Sequence, residues 1–165
     1  MNTSVQLKSA ALFVMLLAMS LTQAQTTNPN LGRQLSTAEL AKNANAPSVR
    51  LDGKVFRILN GVPVTGANSV ALVSDRVTQV VNDQGVVGES RNEVIISEIA
   101  PNRVRDSIDR LKVAPVSVNY YEHIDLSTLR FSSFQDAVDA YDQLKKLLPQ
   151  ARVHVPVKYG KAMPR

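Results

Sequence analysis

The sequence predicts an α+β fold: a small antiparallel β unit followed by strands and helices in the order β-α-β-β-α-β. Three observations point there. Short β-branched runs punctuated by Gly, Pro and Asn-Asp fill residues 50–91. From Asn92 onward the apolar spacing switches between a period of two and a period of 3.6. Hydrophobic residues make up 44% of the 165-residue chain, enough for a packed core in one domain with an appended arm. The expected organisation is a signal peptide at 1–24, a flexible N-terminal arm at 25–49 and a small β extension at 50–91. The main domain follows at 92–158, and an extended basic tail at 159–165.

Met1 to Lys8 is short, polar and positive, and Ala10 to Met19 (AALFVMLLAM) is an unbroken apolar run. Thr22-Gln23-Ala24 offers small residues at the two positions a signal peptidase inspects. The run is well short of the roughly 20 apolar residues of a membrane helix. A periplasmic or secreted protein is therefore expected, with no stable membrane insertion after cleavage. Gln25 to Val49 has few large apolar residues, which favours a mobile leader arm. Within it, Ser36-Thr37-Ala38-Glu39 could form one capped turn.

The β extension carries Val55, Ile58, Leu59, Val62 and Val64, then the runs Ser69 to Ser74 and Arg76 to Val81. Asn82-Asp83-Gln84-Gly85 reads as a turn, with Gly85 supplying a positive φ. Glu93 to Ile99 reads as a strand. Pro101 to Leu111 reads as a helix, with Val104, Ile108 and Leu111 on one face and Pro101 in its first turn. Val116 to Ile124 and Leu126 to Phe131 read as strands. Phe134 to Leu148 is the clearest helix, its stripe formed by Phe134, Ala137, Val138, Tyr141, Leu144, Leu147 and Leu148. Ser133 caps its start, Asp136 and the pair Lys145 and Lys146 suit its dipole, and Pro149 ends it. Arg152 to Lys158 closes the domain as a strand, whose Pro156 calls for an edge position or for its prolyl nitrogen to face solvent. Two helices on one face of such a sheet make the split βαβ, or ferredoxin-like, plan.

Chemistry-bearing sets are sparse. The chain has no cysteine, which excludes disulfides, thiolate metal sites and a cysteine nucleophile. His123 lies beside Glu122 and Asp125, but neighbours in a strand point to opposite faces, so no metal site is expected there. His154 reads as a surface residue. No serine sits in a Gly-x-Ser-x-Gly elbow, and Gly61 and Gly66 lack the Lys-Ser/Thr that completes a phosphate loop. Asp136, Asp139 and Asp142 follow helical spacing and read as a solvated face. The expectation is a protein that is not an enzyme and uses no cofactor and no metal.

Charge is distributed unevenly. The net charge is +5, and no acidic residue follows Asp142, whereas Lys145, Lys146, Arg152, Lys158, Lys161 and Arg165 do. Export argues against a nucleic-acid partner. A basic tail leaving an edge strand suits strand addition into a partner's groove. The candidate partner-binding residues are Tyr159, Gly160, Lys161, Ala162, Met163, Pro164 and Arg165.

The stretch FQDAVDAYDQLKKLLPQARVHVPVKY resembles the close of a subtilisin-type propeptide: a helix with spaced Ala and Leu, a turn holding Pro, a Val-x-Val strand, then an extended tail. The β-α-β-β order before it fits as well, so the resemblance covers Asn92 to Arg165. It implies a sheet that packs on the protease and a tail lying in the active-site groove. Tyr159 to Met163 would fill the outer subsites, Pro164 the second and Arg165 the first. A terminal Arg would suit a kexin-like preference for basic residues. No protease domain follows Arg165, which looks like the stand-alone external chaperones that act in trans on secreted Gram-negative subtilases. The expected function is a periplasmic chaperone and inhibitor of a secreted subtilisin-like serine protease. The alternative is a periplasmic adaptor or assembly factor for an envelope component.

Overall fold

A computed structural model describes residues 30–59 and 77–160. The signal peptide, the run Ser69 to Ser74 and the tail from Lys161 to Arg165 lie outside the described residues. Among the described residues the fold is α+β, with two four-stranded antiparallel sheets and three α-helices. Among the described residues no helix is long and apolar enough to cross a membrane.

The first sheet is a meander, β1 (Ser48–Leu51), β2 (Lys54–Leu59), β3 (Thr78–Val81) and β4 (Val87–Ser90). Asp52 and Gly53 join β1 to β2 with φ of 48° and 78°, the doubly positive turn that matches strand twist and favours Asp-Gly. The side chain of Asn82 organises the next turn by accepting the N–H groups of Gln84 (3.1 Å) and Val86 (2.9 Å). Gly85 supplies φ 77° there, as its sequence position predicts.

The second sheet comprises β5 (Glu93–Ser97), β6 (Ser117–Tyr121), β7 (Leu126–Arg130) and β8 (Arg152–His154), arranged β6-β7-β5-β8. Helix α2 (Pro101–Ile108) connects β5 to β6, and α3 (Phe134–Leu147) connects β7 to β8. Val94, Ile96 and Leu129 point toward the helices and are fully buried, because alternate residues of a strand share a face. In α3, Ser133 accepts the N–H of Asp136 (3.1 Å), as expected of its cap. The buried stripe of α3 is wide, taking in Ala140 as well as Phe134, Ala137, Val138, Tyr141 and Leu144. The width follows from two neighbours: α3 packs on β5 and β8 of one sheet and on β1 of the other. Phe134 meets Phe56 of β2 edge-on, ring centroids 6.0 Å apart. Burying each large apolar side chain of α3 stabilises the fold by about 1.5–3 kcal/mol.

Four expectations are corrected. The described part of the expected arm, Asn30 to Val49, is structured: Thr37–Lys42 is a helix, α1, with a complete capping box of Ser36 and Glu39. Tertiary contact outweighs its polar composition, since Leu35 is buried with Val81 and Val87. The meander begins at Ser48, where the Asp-Gly turn lets Val49 and Leu51 enter the core. The strand expected to reach Ile124 stops at Tyr121, and Glu122–Ile124 forms a 3-10 turn ended by Asp125 at φ 47°. The strand expected over Arg152 to Lys158 pairs in two pieces. Arg152 to His154 pair with β5, and Lys158 pairs with Glu89 of β4. Pro156, which has no N–H to contribute, falls in the gap.

Gly88 sits under that second piece. A Cβ there would lie 2.7 Å from Val157 Cγ1, 2.9 Å from Tyr159 Cε1 and 3.2 Å from the Lys158 carbonyl oxygen. Gly88→Ala is therefore expected to destabilise the protein by about 1–3 kcal/mol and to loosen the chain after Val155. Urea denaturation reads the first effect, and faster tryptic cleavage after Lys158 reads the second.

Candidate functional site

The candidate site surrounds the C-terminal segment as it leaves β8. Val155 is buried and Val157 half-buried, so alternate residues still anchor the chain. Lys158 then exchanges both backbone hydrogen bonds with Glu89, each 2.8 Å. Further along the same edge of β4, the N–H of Gly32 donates to Val87 O (2.8 Å) and the N–H of Val87 donates to Arg33 O (2.9 Å). The two ends of the described chain thus line up along one strand edge. They touch at Gly160, where a Cβ would come within 2.5 Å of the Leu31 carbonyl oxygen.

The N-terminal partner in this arrangement is itself held in place. The guanidinium of Arg33 donates to Glu39 (2.8 Å), and Ser36 donates to Glu39 through its N–H (2.9 Å) and its hydroxyl (2.8 Å). Arg33 first, then Ser36, hold the Glu39 carboxyl down to about 2, so it stays ionised across the range in which most proteins fold.

Of the sequence-predicted partner-binding residues, two are described. Tyr159 is 41% exposed, and burial first, then the charge of Asp83, pushes its phenol up. Gly160 is packed against Leu31 and Gly32. Lys161, Ala162, Met163, Pro164 and Arg165 lie outside the described residues. Beside Tyr159 runs a groove of about 320 Å³, with Leu51, Phe56, Val155 and Val157 as its apolar lining and Asp52, Asp83 and His154 among its polar residues. An apolar floor with a few polar groups at the rim can hold an extended peptide or a protruding side chain.

Sequence reasoning missed a cluster at the β1–β2 turn. Tyr141 donates a short hydrogen bond to the Asp52 carboxylate. Lys145, one helical turn further along α3, donates to the Tyr141 hydroxyl oxygen (2.9 Å) and to Asp52 (3.3 Å). The Tyr141 hydroxyl, followed by Lys145, holds the Asp52 carboxyl below its ordinary value. Burial, more than the adjacent carboxylate, raises Tyr141, which keeps it protonated. A protonated tyrosine bridging an acid and a lysine clamps the first sheet to α3. Its sequence signals were the i,i+4 spacing of Tyr141 and Lys145 and the Asp-Gly turn; nothing local paired them.

The face of the second sheet turned away from α2 and α3 carries Ile95, Thr128 and Asn119 in register across β5, β7 and β6. Glu93 and Arg130 form a half-buried ion pair beside them, with each side chain 19% exposed. His154 is exposed next to Ile95, and His123 is exposed in the 3-10 turn rather than in a strand. Among the described residues no group of three or more His, Asp or Glu side chains could hold a metal ion.

No protein-family model, no curated protein and no solved structure matches this chain.

The clamp gives a pH-dependent expectation. Because Asp52 is depressed in the folded state, its stabilisation is present above the unfolded carboxyl pKa of about 4 and is lost as pH falls through the lower folded value. Asp52 is 56% exposed, so solvent screening reduces the effect, and Tyr141→Phe should cost about 1 kcal/mol near neutral pH. The difference between wild type and variant should shrink as denaturation is repeated at successively lower pH.

Proposed function

We propose that this chain is a binding protein of the subtilisin-propeptide type, acting in the periplasm on a secreted subtilisin-like serine protease as folding aid and inhibitor. The observation that carries the reading is the strand order β6-β7-β5-β8 built from the chain order β5-α2-β6-β7-α3-β8. That order, with every neighbour antiparallel, supports a ferredoxin-like plan for residues 92–158. The basic composition after Asp142 and the resemblance of the closing helix and strand support the same reading. A fold plan shared by many functions does not carry a function alone, so the test falls on the tail.

In this proposal the open sheet face bearing Ile95 and Thr128 meets the protease, and the tail enters its active-site groove. Pairing of Lys158 with Glu89 and packing of Gly160 on Leu31 set the point from which the tail departs. Lys161 to Met163 then run along the outer subsites, Pro164 fills the second and Arg165 the first, by strand addition. The anchored start lowers the ordering cost of binding, since Lys158 and Gly160 are already held.

A purified kexin-like subtilase incubated with the full chain provides the assay. Removing Lys161 to Arg165 is expected to weaken inhibition by at least about 100-fold and leave circular dichroism and thermal unfolding unchanged. Equal inhibition by the shortened chain would sink the tail mechanism. Retention of an envelope assembly component instead of a protease from periplasmic extract would move the function to the adaptor class.

A further inference from the structure

We propose that the edge of β6 is a self-association surface, on which a second copy of this chain adds its own β6 antiparallel to join the two second sheets into one. The inference is independent of any protease partner. β6 terminates the second sheet. Edge strands are normally protected by charge, proline or a covering element. Ser117-Val118-Asn119-Tyr120-Tyr121 contains no charged residue and no proline. Three of the six exposed large hydrophobic residues among the described ones, Val116 (47%), Tyr121 (40%) and Ile124 (56%), lie in or beside this strand.

The direction of the free backbone groups can be read from the ladder. Phe131 donates its N–H to Asn92 O, so the odd-numbered residues of β7 turn their N–H and C=O toward β5. The even-numbered ones, Leu126, Thr128 and Arg130, therefore serve β6 through their partners Tyr121, Asn119 and Ser117. Val118 and Tyr120 are left with N–H and C=O directed outward. An antiparallel copy satisfies them when Val118 of each chain exchanges both hydrogen bonds with Tyr120 of the other. The two-fold axis then passes beside Asn119, which faces its own copy as a non-hydrogen-bonded pair, the closest side-chain register in such a ladder.

A second copy fits better than an unrelated strand because this register is self-complementary. Tyr121 lies opposite Ser117 of the copy. Glu122 leaves the ladder in the 3-10 turn that follows Tyr121, where Arg105 engages it at 3.0 Å, so it does not face a charge of the copy. No like charges face one another across the axis, and Val116 and Tyr121 leave water.

Asn119 is exposed, with no side-chain partner among the described residues, so its substitution separates association from folding. Sedimentation velocity on the full chain in its natural processed form, from about 1 to 500 µM, should show a concentration-dependent dimer, as expected for a modest interface. Asn119→Lys places like charges on the axis and should weaken the dimer at least about ten-fold with unchanged circular dichroism. The chain has no cysteine, so Asn119→Cys can form only an intermolecular disulfide. Mild oxidation should convert it to covalent dimer far faster than Asp139→Cys on the exposed side of α3. A monomer throughout the range, or a dimer indifferent to Asn119→Lys, overturns the proposal. Equal cross-linking of the two cysteine variants does so as well.

Discussion

Residues Val87 to Ser97 serve two sheets at once. β4 and β5 are one stretch of chain, and the returning segment Arg152 to Lys158 pairs with both. The steps are unequal. Six positions separate Ile95 from Glu89, whereas four separate His154 from Lys158. The surplus is taken up near Asn92, which adopts φ 58° while its N–H donates to the Ser90 hydroxyl oxygen (3.1 Å). Asparagine tolerates that left-handed conformation better than most residues, and a ribbon with extra residues on one side must bend.

The bend determines what α3 can do. With the two sheets turned about Asn92, one helix reaches both, which is why its buried stripe is wider than a single-sided amphipathic pattern requires. Phe134 closes the joint against Phe56, and the Asp52–Tyr141–Lys145 cluster fastens its far end by polar contacts. The same geometry carries the C-terminal segment off the second sheet and onto β4, where it meets the arm that begins the described chain. The tail's point of departure is thus decided by the first sheet, although the tail follows directly on a strand of the second.

Local pattern was enough wherever a signal was short-range. The α3 helix, its Ser133 cap, the Asn82 to Gly85 turn and the order of elements after Asn92 could all be read from spacing and turn chemistry. Reading failed where burial came from a distant partner. The arm holding Leu35 looked solvated because the residues that cover it, Val81 and Val87, stand far along the chain. The strand through Pro156 looked continuous because alternation of Val153, Val155 and Val157 persists while its hydrogen-bonding partner changes from β5 to β4.

By itself the sequence determined the α+β class, the helix and strand order of residues 92–158 and the basic character of the chain's end. These follow from periodicity, caps and charge, each of which acts over a few residues. Tertiary structure alone decided that the arm from Asn30 belongs to the fold, that one ribbon joins both sheets, and that the tail's first residues, Tyr159 and Gly160, pack against the first sheet and the arm. It also decided which strand was left at the sheet's edge with its polar groups turned outward. Those outcomes depend on which distant segments exchange backbone hydrogen bonds, and that pairing leaves no local mark in a single sequence.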